Sequence, residues 1–537
     1  MALQPTTTES GAPGGGPTLF TRNATGLVRE LSAFDAFNLV FSAVLIPVGI
    51  TEVMGFAPQF WPHANLFLAF LIATPLVACF GLVYLYFTSL MPRSGGDYVW
   101  VSRTLHPFLG FVVNFSLTFV FLTWVAFNFT FMLSIVLPAL GYVADVHAKW
   151  VNAPSNGEMM LIATILTVIF TTAMIFGVKS IARYMKATFA IVWIGMAIWL
   201  LLMLFGSHSG FVARWDHGAG ASYAAIISKA SKYGFNVGGG IALGATIAAM
   251  VYCFQVYTGF QWTGYFAGEI KNARRTAVTS IIGGLLAAAV IYCVASLLVY
   301  KYFGFKFFGS LVYLGLGGGT SHYTLSFAPY LPQLVKFLPG GQVLQVIVVA
   351  CFLLAIFWWT PTGFLLGTRN LFAWSFDRLA PVRVTDVSDR FHTPVVATVV
   401  IGLVVELLNY LNIYQGLGAF LLNVIVIMGL AFIVVSIAAG LVPYRHPTMH
   451  AEGPAWSRAK VLGVPVITLV ATVSALAWAF VIFEALNTGF GGKLGWAPMI
   501  KVFAAPIIAA VWYLGVSGYR RSQGISLANT FREIPPE

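Results

Sequence analysis

Two interruptions in long apolar runs hold the residues of this chain best placed to do chemistry. Ile46-Pro47-Val48-Gly49 lies at the centre of a run bounded by Asp35 and Pro62. Thr258-Gly259 lies just past the middle of another, from about Ile241 to Glu269. Proline removes an amide hydrogen and crowds the carbonyl four residues back, and glycine weakens a helix interior. The half-helix beyond a break presents unpaired N–H groups and positive dipole character, which suit a carboxylate. The half before it presents carbonyls, which suit an ammonium group or a cation. Two such breaks can grip a zwitterion without a charged side chain. That matters where an uncompensated ion costs roughly 2.5–3.5 kcal/mol or more.

One acid stands beside the first break. Glu52 reads as a proton carrier or a counter-charge for a basic ligand, or else as an inert group solvated in an outer vestibule. Acids at membrane depth are rare and costly, which favours a role. Glu406 is the rival acid, in a run further along the chain. Thr123, Trp124 and Asn128, then Trp358, Trp359 and Thr360, and finally Asn423 bring polar or aromatic chemistry to three other runs. Pocket lining and interhelix packing are both open to them. The four cysteines lie inside apolar runs without metal-ligand spacing, and the nine histidines fall in connectors or at run ends. A membrane-embedded enzyme therefore lacks its metal or haem ligands, and no selectivity ring of a channel is readable. No cofactor is expected beyond a coupling proton or sodium ion.

The elements that must position these residues are membrane helices. Only 9% of the 537 residues are charged and 59% are hydrophobic, where a soluble domain carries roughly a quarter charged residues. Apolar runs of about 20 residues match the hydrocarbon thickness of a bilayer. Twelve spans are predicted, near 36–61, 65–90, 108–140, 157–177, 183–206, 241–268, 276–300, 342–368, 394–414, 416–441, 462–486 and 498–518. The formal charge of +12 comes from basic residues scattered through the connectors, a membrane-orientation pattern rather than a nucleic-acid footprint. With both termini cytoplasmic, 20 of the 29 basic residues fall on the inner side. The connectors 207–240 and 301–341 read either as short helices covering a cavity or as mobile outer loops. Residues 1–30, rich in Gly, Pro, Ser and Thr, read as a disordered cytoplasmic tail, and 519–537 as a second tail.

Four connectors carry a family likeness. PRSGGDYVWVSRTLHPFLGF (Pro92–Phe111) resembles the loop between spans 2 and 3 of amino acid–polyamine–organocation permeases. GVKSIAR (Gly177–Arg183) resembles their turn between spans 4 and 5. TGFQWTGYFAGEIKNARR (Thr258–Arg275) resembles their broken span 6 and its following loop, and TRNLFAWSFDRLAP (Thr368–Pro381) the loop after span 8. The likeness covers about residues 30–445. It implies an all-α polytopic membrane protein with the leucine-transporter-like fold. That fold has an inverted repeat of five spans in 31–206, its counterpart in 207–441, and two peripheral spans in 442–518.

The resemblance also implies a site. The family's carboxylate-binding Gly-Ser-Gly falls on Gly49-Ile50-Thr51, beside Val48, and its span 6 positions fall on Gln255, Val256, Tyr257, Thr258, Gly259, Phe260 and Gln261. Four departures stand out: the bulky Ile50, Thr51 in place of glycine, Gln255 where a bulky aromatic gate is common, and Gln261 where a glutamate is common. Tyr257 and Phe260 are the candidates for closing over a substrate, with core packing the other reading of each. Asn128, Trp359 and Asn423 complete the candidate set, and Glu52 is the ion-coupling candidate. The implied function is secondary active transport of an amino acid or related amine across the plasma membrane by alternating access. Alternatives are an exchanger or polyamine transporter of the same fold. The expected partners are the small solute and the lipid bilayer, with no nucleic acid, and the chain acts as a monomer or homodimer. Ser94–Tyr98 reads as a connector at the inner gate, or else as a tight turn that merely satisfies the positive-inside pattern.

Overall fold

The computed structural model describes residues 29–235, 241–388, 390–391, 393–417, 424–487, 496–524 and 531. Eleven helices among them are long and apolar enough to cross a membrane: Ala33–Phe60, Leu66–Leu90, Pro107–Ala144, Asn156–Ile175, Val178–Phe205, Leu243–Tyr265, Ala273–Phe303, Gly341–Phe376, Val395–Gln415, Val424–Arg445 and Val466–Asn487. The helix Trp496–Ser522 stands where the twelfth span is predicted. These are spans 1 to 12 below, and they form the all-α polytopic bundle implied by the resemblance. The described strands are a two-residue pair, Lys460–Val461 with Val464–Pro465.

Local chemistry explains the helix starts. Ser32 and Asp35 form a reciprocal cap on span 1, and Ser155 and Glu158 do the same for span 4. Each satisfies amides that a helix start leaves unpaired. Span 3 carries a π-turn over Met132–Val136, just ahead of Pro138. The widened turn accommodates a ring that an α-helix would press onto the preceding turn.

The packing order places the two interrupted spans at the centre. The apolar window of span 1 is 89% buried and that of span 6 is 78% buried, against 22% for span 4 and 33% for spans 5 and 11. Leu161, Ile165, Val168 and Ile169 on span 4 are exposed, which suits a lipid-facing surface. Span 3 packs against spans 8, 9, 10 and 12, span 4 against span 9, and span 11 against spans 10 and 2.

Several boundaries depart from the sequence reading, among them those of spans 8 and 3. Span 8 continues to Phe376, past its predicted end at 368. The stretch read as a loop is mostly helix, because Arg369 is neutralised by buried Glu269 and so does not force the chain out to water. Span 3 runs to Ala144 rather than 140. Between spans 5 and 8 the connectors form short helices, His208–Gly218, Tyr223–Lys232 and Phe305–Leu316. Tyr330, after the last of these, stands edge-on to Phe56 of span 1, with ring centres 6.0 Å apart. Of the two readings of these connectors, the described residues show the short helices.

Candidate functional site

Span 1 breaks at one residue. Its first half ends at Val44, Leu45 takes a left-handed backbone (φ 45°, ψ 52°), and the second half runs Ile46–Phe60. Pro47 favours a break here: a continuous helix would drive its ring against the carbonyl of Ala43 and leave that carbonyl without a donor. The break therefore precedes the proline, and Gly49, Ile50 and Thr51 are helical. The Val48 and Gly49 amides both donate to the Leu45 carbonyl, at 3.1 and 2.9 Å.

Span 6 breaks at Thr258 and Gly259. The α-helix ends at Tyr257, Gly259 has φ 129°, and the chain goes on as tight 3-10 turns over Phe260–Tyr265. The Gly259 amide donates to the Gln261 side-chain oxygen at 2.8 Å. The glycine is required sterically as well: a β-carbon there would lie 2.5–2.7 Å from the backbone of Ala43 and Val44. The two breaks therefore touch.

Tyr292 of span 7 ties them together. Its buried hydroxyl reaches the Val44 carbonyl at 3.2 Å and the Val256 carbonyl at 3.2 Å. One phenol thus caps the carbonyl ends of both first halves, which otherwise lack helical donors.

Beside this junction lies a cavity of about 290 Å³. Span 1 contributes Val44, Leu45, Val48, Gly49, Glu52 and Phe56; span 3 contributes Trp124, Phe127 and Asn128. Span 6 contributes Tyr252, Gln255, Val256 and Thr258, and span 8 contributes Trp359. Of the residues singled out from sequence, Val48, Gly49, Glu52, Trp124, Asn128, Gln255, Val256, Thr258 and Trp359 come together on these walls.

The other candidates sit elsewhere. Ile50 and Thr51 are buried on another face of span 1, with the Thr51 hydroxyl donating to the Pro47 carbonyl at 2.9 Å. The Tyr257 hydroxyl lies 3.0 Å from that of Thr74, and its ring meets Phe70 and Tyr292 edge-on. Phe260 stands edge-on to Phe80 beside Gly81. Gly259 serves the contact with span 1 rather than the wall. Asn423 lies outside the described residues.

Some lining residues escaped the sequence reading. Phe56, Phe127 and Tyr252 carry no local signal among the chain's many aromatics, and only their positions around the breaks single them out. Glu406 turns away to span 4, where it accepts a short hydrogen bond from Thr164. Trp358 faces span 1 instead of the cavity, its indole donating to Asn38 at 2.9 Å. No cluster of three or more His, Cys, Asp or Glu side chains able to hold a metal occurs among the described residues.

A buried polar network gathers at one end of the bundle. Arg369 of span 8 makes two bonds to Glu269, at 2.5 and 2.8 Å, and both side chains are buried. Arg103 grips Asp377 at 2.7 and 2.8 Å, and the Tyr98 hydroxyl donates to the same carboxylate at 2.6 Å. Asp97, fully buried, accepts from Tyr84 at 3.0 Å, from Asn114 at 2.7 Å, and in a short bond from Tyr265. Burial pushes the Asp97 carboxyl up to about 6, while these three donors pull it down. The Gly95-Gly96 turn lies directly on the tail of span 6, with the Gly95 amide donating to the Tyr265 carbonyl at 3.3 Å. A β-carbon on Gly96 would fall 2.9 Å from the Tyr265 ring. At the same end Lys186 of span 5 pairs with Asp35 of span 1 at 2.8 Å.

Comparison with known proteins agrees with this architecture. The methylthioribose transporter of Bacillus subtilis (strain 168) is 26% identical over 459 residues, covering 84% of this chain and 87% of that protein. The branched-chain amino acid permease BcaP of the same organism is 24% identical over 504 residues, covering 92% and 94%. The family model described as amino acid permease matches residues 42–523. With two interrupted central helices, a cavity between them and a family match along nearly its whole length, the chain belongs to the amino acid permease family.

Proposed function

We propose that this protein is a secondary active transporter of an amino acid or related amine, working by alternating access in the plasma membrane with both termini cytoplasmic. The observation that carries the reading is the cavity where both interrupted spans meet spans 3 and 8. Interrupted helices at mid-membrane are where transporters of this kind bind their solute. The two relatives are named for different solutes, a thiosugar in one and branched-chain amino acids in the other. They support a small organic solute without choosing it.

The end that carries the buried polar network fits an inner gate. Its buried ion pairs join span 6, span 8 and the connector before span 3, so opening that end requires parting Glu269 from Arg369 and Asp377 from Arg103. Twenty of the 29 basic residues fall on this side in the proposed topology, in keeping with the positive-inside rule. Uptake into liposomes containing the purified protein tests the function. Saturable, protein-dependent accumulation of a labelled amino acid or amine is expected, with loss of that uptake in Gly259→Ala. Uptake that never saturates, or equals that of protein-free liposomes, would overturn the reading.

A further inference from the structure

We propose that the cavity selects a protonated primary amine carried on an apolar or aromatic body over a zwitterionic amino acid, and that Glu52 receives the ammonium group. The inference builds on the transporter reading and narrows its substrate.

The polar atoms facing the cavity ask for donors. Glu52 is the one acid among its lining residues, and no Lys, Arg or His stands with it. Asn128 gives one hydrogen of its amide nitrogen to the Trp124 carbonyl at 2.8 Å. Its side-chain oxygen is buried without a partner, and so is that of Gln255. The two residues are 6% and 8% exposed and both line the cavity. A buried acceptor left unmade costs about 1–3 kcal/mol. A primary ammonium carries three N–H donors, enough for a carboxylate and both amide oxygens.

Part of the complementary receptor for a carboxylate is already engaged. At the start of the second half of span 1, Pro47 has no amide hydrogen, and the Val48 and Gly49 amides already donate to the Leu45 carbonyl. At the other break the Gly259 amide is held by Gln261. The Thr258 hydroxyl is turned onto the Gln255 carbonyl. No cationic side chain among the lining residues offers a counter-charge to a ligand carboxylate. The body of the ligand meets aromatic faces: Phe56, Trp124, Phe127, Tyr252 and Trp359. Such walls bury an apolar body and attract a cation through their ring faces.

The test compares matched pairs that differ only by the carboxylate. Binding of 2-phenylethylamine is measured against phenylalanine, and of 3-methylbutylamine against leucine, on the purified full-length protein, with uptake into liposomes in parallel. Each amine is expected to bind at least about tenfold more tightly than its amino acid, and Glu52→Gln to lose about tenfold or more in amine affinity, as for a charge-assisted hydrogen bond. The melting temperature of Glu52→Gln should match wild type, and Glu52→Asp should restore part of the affinity. Equal or tighter binding of the amino acids, or full amine affinity in folded Glu52→Gln, overturns the proposal. If amino acids alone are transported, this inference falls and the transporter reading stands. If folded protein neither binds nor transports any of the four, both fall.

Discussion

The α-carbon of Gly49 faces the hydroxyl of Tyr292, so that a β-carbon there would collide with it and sit 3.2 Å from the Val256 β-carbon. The same hydroxyl holds the Val44 and Val256 carbonyls. Gly49 is thus small because the tie between the two broken helices occupies the space beside it. Gly49→Ala should lower stability by about 1–3 kcal/mol, as overpacking does, and reduce uptake. Adding Tyr292→Phe removes the colliding atom, so the double variant should recover part of the lost melting temperature. Independent, additive losses in detergent thermal scans would count against this arrangement.

Gly259→Ala should be more damaging. Its φ of 129° is strained for any residue with a side chain, and the obstruction is the backbone of Ala43 and Val44 rather than a side chain that can swing away. Strain of this kind costs about 1–3 kcal/mol before any clash is counted. The check is uptake together with melting temperature. A variant with wild-type values in both would refute the contact between the breaks.

The Glu269–Arg369 pair is buried and bidentate. Removing one partner leaves an uncompensated buried charge, and Glu269→Gln or Arg369→Met should each cost about 3–5 kcal/mol. The double replacement Glu269→Leu with Arg369→Met should be far less destabilising than the sum of the singles. A double-mutant cycle by chemical or thermal unfolding reads the coupling, and a coupling near zero would mean the pair is solvated.

Asp97 makes a pH prediction with a definite sign. Its carboxyl is pushed from the ordinary 3.8 to about 6 by burial, so the folded protein binds this proton more tightly than the unfolded chain. Stability from this group is greatest below about pH 4 and falls as pH rises through 6. The Asp97→Asn variant lacks that dependence. Relative to wild type it should gain on the order of 3 kcal/mol between pH 4 and pH 7. Parallel stability curves across that range would contradict the burial argument.

Much of the site was legible because helix breaks have local causes. Pro47 disfavours the turn before it, and Gly259 permits a positive φ. Yet Pro361-Thr362-Gly363 lies within the unbroken helix of span 8, so such signals mark where a break can form and packing decides whether it does. The exact break in span 1 was not legible, since proline disrupts the turn before it and the chain yields at Leu45 rather than at Gly49. Arg369 misled the boundary of span 8 for a related reason. A charge in an apolar run reads as an end until its partner, 100 residues earlier in the chain, is known.

Composition, span lengths and the basic connectors determine by themselves that this chain crosses a membrane many times, because transfer of apolar and charged groups depends on residue type alone. Which faces of those helices meet was settled by tertiary packing. Tyr292 became the tie between two breaks, Tyr252 and Phe127 became cavity wall, and Tyr257 and Phe260 became core. Helical periodicity says that a side chain has a face, but only the crossing of several helices decides whether that face meets lipid, another helix or a solute.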